Sequence, residues 1–82
     1  MRILFLAHLK DATHCAEMTL SCGGEGVVVD ADWLWRRLIE AHPGLARHRS
    51  AVRLARNAEY AGPEERFHDA DEVALLPPVS GG

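Results

Sequence analysis

The stretch that decides the fold is EVALLPPVSGG, residues 72–82. Its first five residues alternate as a β-strand does, and both faces are apolar, with Val73 and Leu75 on one face and Leu76 on the other. The opening stretch, residues 2–9, has the same apolar character on both faces. We therefore predict that the first and last strands lie side by side at the centre of one sheet.

Two prolines and two glycines follow the last strand and predict a stiff exit from the sheet followed by a thin, flexible end. Proline fixes its own φ and biases the residue before it towards extended conformations, so the Pro-Pro pair predicts a rigid exit from the sheet. Glycine has no Cβ, so a Gly-Gly end can pass through a channel in which any side chain would clash. These features predict a domain over residues 1–76 and a flexible, carboxylate-tipped tail over residues 77–82.

One helix and three further strands are predicted between the two central strands. Residues 17–22 alternate between polar and apolar side chains, as a half-buried antiparallel strand does, and residues 52–56 and 59–61 predict two more strands. Asp30 can cap a helix that runs to about His42. The buried face of this helix is predicted to consist of apolar residues at helical spacing: Leu34, Trp35, Leu38, Ala41 and Leu45.

The remaining segments are predicted to be loops. Residues 10–15 are polar and turn-like, and residues 23–26 lack the Gly-Lys-Ser/Thr ending of a phosphate-binding loop. Phe67 is an isolated aromatic residue that is expected to plug the core from a loop. The order of elements predicts a two-layer α+β domain, with a mixed sheet of about five strands and one main helix packed on one face. That arrangement is the β-grasp, or ubiquitin-like, fold.

Composition argues against several classes of function. A net charge of −3 is unlike that of a nucleic-acid binder. No apolar run approaches the ~20 residues that span a bilayer, so we expect no membrane segment and a cytoplasmic protein. Cys15 and Cys22 have neither CxxC spacing nor a second cluster of ligands, so we expect no disulfide and no metal site. No acid–base pair or nucleophile–histidine arrangement is recognisable, so no catalytic residue is expected in this chain.

A partner surface is predicted on the sheet face opposite the helix. Strand alternation turns the odd-numbered apolar residues of the first and last strands towards the core. The apolar residues left on the outer face are Leu4, Leu6, Tyr60 and Leu76. Contiguous exposed apolar surface marks protein contacts, and aromatic anchors contribute strongly to binding. We therefore predict that these four residues bind a protein partner.

The C-terminal stretch resembles a known family. FHDADEVALLPPVSGG, residues 67–82, is similar to the C-terminus of the molybdopterin synthase small subunits, and its Asp-x-Asp-Glu-Val run before Pro-Pro-Val-Ser-Gly-Gly resembles that family's signature. Asn57 matches an asparagine in the family's central turn, and residues 2–7 resemble its first strand. Members of this family are ubiquitin-like sulfur carriers.

The resemblance implies chemistry at the Gly82 carboxylate. An activating enzyme would adenylate it with ATP, and sulfur from a persulfide donor would replace the AMP. The resulting thiocarboxylate would donate sulfur to cyclic pyranopterin monophosphate to form the molybdopterin dithiolene. The rest of the tail would thread into a partner's active site: Pro77, Pro78, Val79, Ser80 and Gly81. Gly81, next to the reacting residue, would provide the clearance.

The resemblance also implies the partners. Catalytic groups would belong to the large subunit of molybdopterin synthase, in a heterotetramer of two small and two large subunits, and this chain would be a non-catalytic subunit. A ubiquitin-activating-like adenylyltransferase would use the ATP, and no cofactor would be bound permanently. Two alternatives stay open: a sulfur carrier for thiazole, cysteine or tRNA thiolation, and a protein modifier conjugated through the Gly-Gly end. A third, a plain β-grasp interaction module with no tail chemistry, is disfavoured by the Gly-Gly end.

Overall fold

The computed structural model describes residues 1–78, and the predictions for Val79, Ser80, Gly81 and Gly82 lie outside this range. The elements follow one another in the order β1 (Arg2–Phe5), α1 (Leu9–Thr13), β2 (Glu17–Thr19), α2 (Ala31–Ala41), a 3-10 helix (Pro43–His48), β3 (Arg53–Arg56), β4 (Glu59–Tyr60) and β5 (Glu72–Leu76). None of the helices in residues 1–78 is long and apolar enough to cross a membrane.

The five strands form one mixed sheet in the order β2-β1-β5-β3-β4. β1 and β5 are parallel neighbours, with Phe5 opposite Leu75, and the other three pairs are antiparallel. A parallel pair needs a long crossover connection, which the segment containing α2 supplies. The predicted central pairing of the first and last strands is confirmed, and so is the mixed five-stranded sheet.

The core lies between this sheet and the helices that cover one of its faces. The odd-numbered apolar residues of β1 and β5 point into the core, and Ile3, Val73 and Leu75 are fully buried. α2 begins after Asp30, whose carboxylate accepts a hydrogen bond of 2.9 Å from the backbone N–H of Trp33. The predicted helix cap is therefore confirmed, and the sheet with its main helix has the β-grasp arrangement.

The buried face of α2 agrees with its predicted spacing except at one position. Leu34, Trp35 and Leu38 are buried, and Leu45 in the following 3-10 helix joins the same core. Ala41 is exposed, which contradicts the prediction. It is the last residue of α2, and the chain turns there, so Leu45 fills the core at that level.

Phe67 closes the core from a loop, as predicted. Its side chain has no exposed surface. Its backbone exchanges two hydrogen bonds of 2.8 and 2.9 Å with Val29, which form an isolated antiparallel bridge between the two loops. The plug is therefore fixed by its backbone as well as by its packing.

The predictions of a first strand reaching residue 9 and of a polar turn over residues 10–15 are wrong. β1 ends at Phe5, and Ala7 has a φ of 51°, which a β-strand does not accommodate. Leu9 then begins α1 with its side chain fully buried. The hydroxyl of Thr13 donates a hydrogen bond of 3.2 Å to the Leu9 carbonyl and closes this short helix.

A tight hairpin joins β3 to β4. Asn57 and Ala58 form its turn, with φ values of 50° and 70°. Two consecutive left-handed residues are what a two-residue hairpin with a right-handed strand twist requires, and they fit the two residues left between the predicted strands at 52–56 and 59–61. The hairpin brings β4 alongside β3 at one edge of the sheet.

Candidate functional site

The tail departs from the middle of the sheet. β5 carries it, with β1 along one edge and β3 along the other, and Leu76 is the last strand residue. Pro77 is half-buried and Pro78 is exposed. Gly82, which is predicted to carry sulfur, and residues 79–81, which are predicted to thread, lie outside the described range. Because β5 is hydrogen-bonded on both sides, the root of the tail is held in place.

The outer face of the sheet, away from the helices, carries a row of apolar side chains. Strand register aligns one residue from each of four strands in this row: Leu4, Ala74, Ala55 and Tyr60. Tyr60 is 66% exposed and Leu4 is half-buried. Leu76 lies two residues beyond Ala74 on β5, so it shares the face and is also half-buried. Three of the four predicted partner residues therefore lie on one face, and their binding role stays a prediction.

Leu6, the fourth predicted partner residue, lies just beyond β1, so strand alternation does not fix the direction of its side chain. Its side chain is exposed, at 38%. We call the end of the sheet where β1 and β5 finish and β3 begins the tail end. Leu6 lies at the tail end because its neighbour Phe5 is paired with Leu75.

A shallow depression of about 300 Å³ lies in the outer face beside Leu76. Its lining consists of Ala55, Ala58, Tyr60, Ala74 and Leu76. Three of these five residues are alanines, and their small side chains leave a depression between the larger side chains of Tyr60 and Leu76. We call this depression the alanine pocket. Its shape and apolar lining suit a side chain that protrudes from a partner.

Sequence reasoning missed Arg53, which lies beside this pocket. The Arg53 guanidinium carbon is 4.3 Å from the centroid of the Tyr60 ring, within the range of a cation–π contact. Arg53 is opposite Leu76 in the register of β3 and β5, so the contact lies at the tail end. A signal was present in the sequence, because Arg53 and Tyr60 are diagonal neighbours on one face when the hairpin turns at residues 57 and 58.

The end of the outer face opposite the tail end carries ion pairs within the chain. Arg2 lies 2.6 Å from a carboxylate oxygen of Glu17 and 3.0 Å from one of Glu72. The hydrogen bond from Arg2 lowers the pKa of Glu17, and the same contact raises the pKa of Arg2. The outer face thus runs from paired charges, through the apolar row, to Arg53 at the tail end.

The first carboxylate of the Asp-x-Asp run, Asp69, holds the glycine-rich loop. It accepts hydrogen bonds from the backbone N–H groups of Cys22 and Gly24, at 2.7 and 2.9 Å, and from the Ser21 hydroxyl at 3.1 Å. These bonds, with that of the Cys22 N–H foremost, hold the pKa of Asp69 well below its usual range. The loop therefore binds a carboxylate of its own chain, in keeping with the predicted plain loop.

The second carboxylate, Asp71, is buried at the start of β5, with 3% of its surface exposed. It accepts hydrogen bonds from the Asn57 side-chain amide at 3.0 Å and from the His68 backbone N–H at 2.9 Å. Burial alone would raise the pKa of Asp71, but these hydrogen bonds lower it. The side-chain amide oxygen of Asn57 also accepts a hydrogen bond of 3.0 Å from the Glu72 backbone N–H. Asn57 and Asp71 therefore tie the hairpin turn to the base of β5.

Comparison with protein families covers nearly the whole chain. The model described as the ThiS family matches residues 3–82. The chain belongs to the ThiS family. It is 32% identical to the molybdopterin synthase sulfur carrier subunit of Chlamydomonas reinhardtii, over 100% of this chain and 98% of that protein. It is 31% identical to the subunit of the same name from Homo sapiens, over 100% of this chain and 93% of that protein.

Solved structures share the fold of this ThiS-family chain. SAMP1 from Haloferax volcanii superposes with a TM-score of 0.82 at 28% identity, over 100% of this chain and 98% of that chain. A putative molybdopterin converting factor, subunit 1, from Pyrococcus furiosus superposes with a TM-score of 0.77 at 20% identity, over 95% of each chain. The β-grasp fold is therefore shared with both proteins.

Within residues 1–78 of the ThiS-family domain, no three His, Cys, Asp or Glu residues are grouped so as to hold a metal ion. Cys15 and Cys22 are free, half-buried thiols. Burial raises the pKa of Cys22, which makes its thiolate less available. The features that the described residues place together are the apolar row, the alanine pocket and Arg53, beside the root of the tail.

Proposed function

We propose that this chain is the sulfur-carrier subunit of a molybdopterin synthase. The observation that carries the proposal is the full-length match to relatives of that name, at 32% and 31% identity. The apolar outer face beside the root of the tail supports it. A carrier has to be held by its partner while its tail lies in the partner's active site, and this face offers the contact area.

The chemistry takes place at the Gly82 carboxylate. One carboxylate oxygen attacks the α-phosphorus of ATP, which releases pyrophosphate and leaves an acyl adenylate. A persulfide sulfur displaces AMP to give an acyl disulfide, and a thiol then cleaves the S–S bond and leaves the thiocarboxylate. A free carboxylate is a poor electrophile, so adenylation supplies the leaving group. The thiocarboxylate is a soft anionic nucleophile, and two such transfers convert cyclic pyranopterin monophosphate into the dithiolene.

The partner in this proposal is the large subunit of molybdopterin synthase, in an assembly of two small and two large subunits. It supplies the catalytic groups, binds Leu4, Leu6, Tyr60 and Leu76, and admits the tail from residue 77 onwards. Gly81 gives the clearance next to the reacting group, because any Cβ would thicken the tail there. An adenylyltransferase of the ubiquitin-activating type uses the ATP, and the small subunit holds no permanent cofactor.

Intact-mass spectrometry tests the proposal. The full chain is incubated with the activating enzyme, ATP and a persulfide donor, and it should become heavier by one oxygen-to-sulfur exchange. The charged protein should then form the dithiolene when it is mixed with the large subunit and the precursor. The control is a chain that lacks Gly81 and Gly82, which should bind the large subunit but carry no sulfur. If the full chain gains no sulfur in a mixture that converts a known sulfur carrier to its thiocarboxylate, the proposal is wrong.

A second candidate function is that of a protein modifier. The superposition on SAMP1 of Haloferax volcanii, which is a small archaeal modifier protein, favours it. In that case the activated Gly82 would form isopeptide bonds with lysines of other proteins. This chain has one lysine, Lys10, which limits polymers built on itself. Conjugates that survive reducing agent and alkali would favour the modifier, whereas dithiolene formation favours the sulfur carrier.

A further inference from the structure

The outer face has one charged group at its tail end that is not paired within the described chain. Among residues 1–78, Arg53 forms no ion pair, whereas Arg2 at the other end of the face is paired with both Glu17 and Glu72. The guanidinium of Arg53 lies over the Tyr60 ring at 4.3 Å, a contact that favours this orientation over others. A charged donor that is already oriented loses less entropy when it binds an acceptor.

The alanine pocket lies next to this guanidinium. Tyr60 belongs both to the pocket lining and to the cation–π contact, so the apolar and the charged features are continuous. A volume of about 300 Å³ is at the bottom of the range of about 300–1,000 Å³ that small-molecule sites occupy, and the depression is shallow. It suits one aliphatic side chain better than a free ligand.

We infer that Arg53 and the alanine pocket together bind a two-residue feature of the protein that receives the tail: an aliphatic side chain in the pocket, with a carboxylate beside it on Arg53. The inference rests on the proposed function for the existence of that partner. Charge complementarity identifies the carboxylate, because a guanidinium presents paired donors that match its two oxygens. The position of Arg53 opposite Leu76 makes the contact adjacent to the root of the tail.

The arrangement gives the docked domain a direction. An apolar row alone could be matched by a partner in two orientations. Within residues 1–78, Arg53 has no ion-pair partner at the tail end, whereas Arg2 is paired at the other end, so only one orientation pairs the partner's carboxylate with Arg53. That orientation directs β5, and hence the tail, towards one side of the partner. Arg53 is thus a positioning residue for docking and takes no part in the sulfur chemistry.

Titration of the full chain against the large subunit of molybdopterin synthase from the same organism tests the inference. Arg53→Gln should raise the Kd about tenfold and make it less dependent on salt, because one charge-assisted hydrogen-bonded pair is lost. The Kd of Arg53→Lys should lie between those of the wild type and Arg53→Gln, since lysine keeps the charge without the planar donors. Ala74→Leu, which fills the pocket without adding charge, should also weaken binding.

The matched control is Arg37→Gln. Arg37 also lies over an aromatic ring, that of Trp33 at 5.7 Å, but it belongs to α2 on the other side of the domain. Its substitution should leave the Kd within about twofold of the wild-type value.

If Arg53→Gln binds as well as the wild type while Leu6→Asp does not, the inference is wrong and the proposed function stands. If the wild-type chain neither binds the large subunit nor is charged with sulfur, both are wrong. If Arg53→Gln instead abolishes self-association, the occupant is a second copy and the inference is wrong.

Discussion

Substitution of Asp71 by asparagine tests whether the acidic run before the last strand is structural. The two carboxylate oxygens accept from different donors, the Asn57 amide and the His68 backbone N–H, at 3.0 and 2.9 Å. Asparagine has almost the same size but only one acceptor oxygen. Whichever way the new amide turns, its NH₂ group faces one of these two donors, and a buried donor is left without a partner.

The expected loss follows from these contacts. A hydrogen bond to a charged group contributes about 1.5–3 kcal/mol, and a buried donor without a partner costs about 1–3 kcal/mol. Because the second bond survives in a weaker, neutral form, we expect Asp71→Asn to lower the free energy of unfolding by about 3 kcal/mol. In a domain of this size that corresponds to roughly 12–24 °C in melting temperature. Such a loss is a large part of the stability of so small a domain.

Urea unfolding at neutral pH, followed by circular dichroism, measures this difference, and Asp11→Asn is the control. Asp11 is exposed, and its substitution should change the free energy of unfolding by about 0.5 kcal/mol or less. The folded pKa of Asp71 is lowered, so its contribution is fully present above the unfolded pKa and is lost as the pH falls through the folded pKa. The difference in free energy of unfolding between the wild type and Asp71→Asn should therefore shrink in acid, at pH values below 3.8, the ordinary pKa of an aspartate. Equal stability of Asp71→Asn and Asp11→Asn at neutral pH would refute the structural role.

Three further predictions follow from the fold and the tail. Leu6→Asp should weaken binding to the large subunit about tenfold and shift the melting temperature by about 4 °C or less; unfolding would mean that Leu6 belongs to the core. Gly81→Val should leave stability within about 0.5 kcal/mol but slow adenylation and sulfur transfer on the order of a hundredfold, and near-normal turnover would show that the tail needs no thin end. Phe67→Ala should cost about 3–5 kcal/mol and leave much of the chain unfolded by circular dichroism, so a cooperative transition near that of the wild type would contradict the plug.

The parts of the fold that the sequence predicted well are those with local signals at both ends. β5 was predicted at its observed bounds, Glu72–Leu76, because an alternating run is followed there by two prolines. α2 was predicted because Asp30 caps it and apolar residues recur at helical spacing. The central pairing of β1 with β5 followed from the apolar character of both faces.

The parts that were missed depend on contacts between distant segments. α1 has only five residues, too few for a helical period to differ from a turn, and Leu9 is buried because α1 packs against the 3-10 helix. The contact of Arg53 with Tyr60 appears only when the hairpin register is known. Conversely, Asp69 and Asp71 were recognised as a family signature, but the signature alone did not reveal that both hold loops.

The position of β5 limits where the partner's reacting centre can lie. β5 is fixed by β1 and β3 along its edges and by Asp71 at its base, so Leu76 is a rigid reference point. Residues 77–82 link Leu76 to the Gly82 carboxylate that reacts in the proposed function, and covalent geometry limits these six residues to a span of about 20 Å. A partner that binds the outer face through the apolar row must therefore place its reacting centre within about 20 Å of Leu76. We infer that Arg53, opposite Leu76, sets the direction of docking. A reversed orientation would then move the root of the tail to the other end of the interface and carry Gly82, the reacting residue of the proposed function, away from the centre.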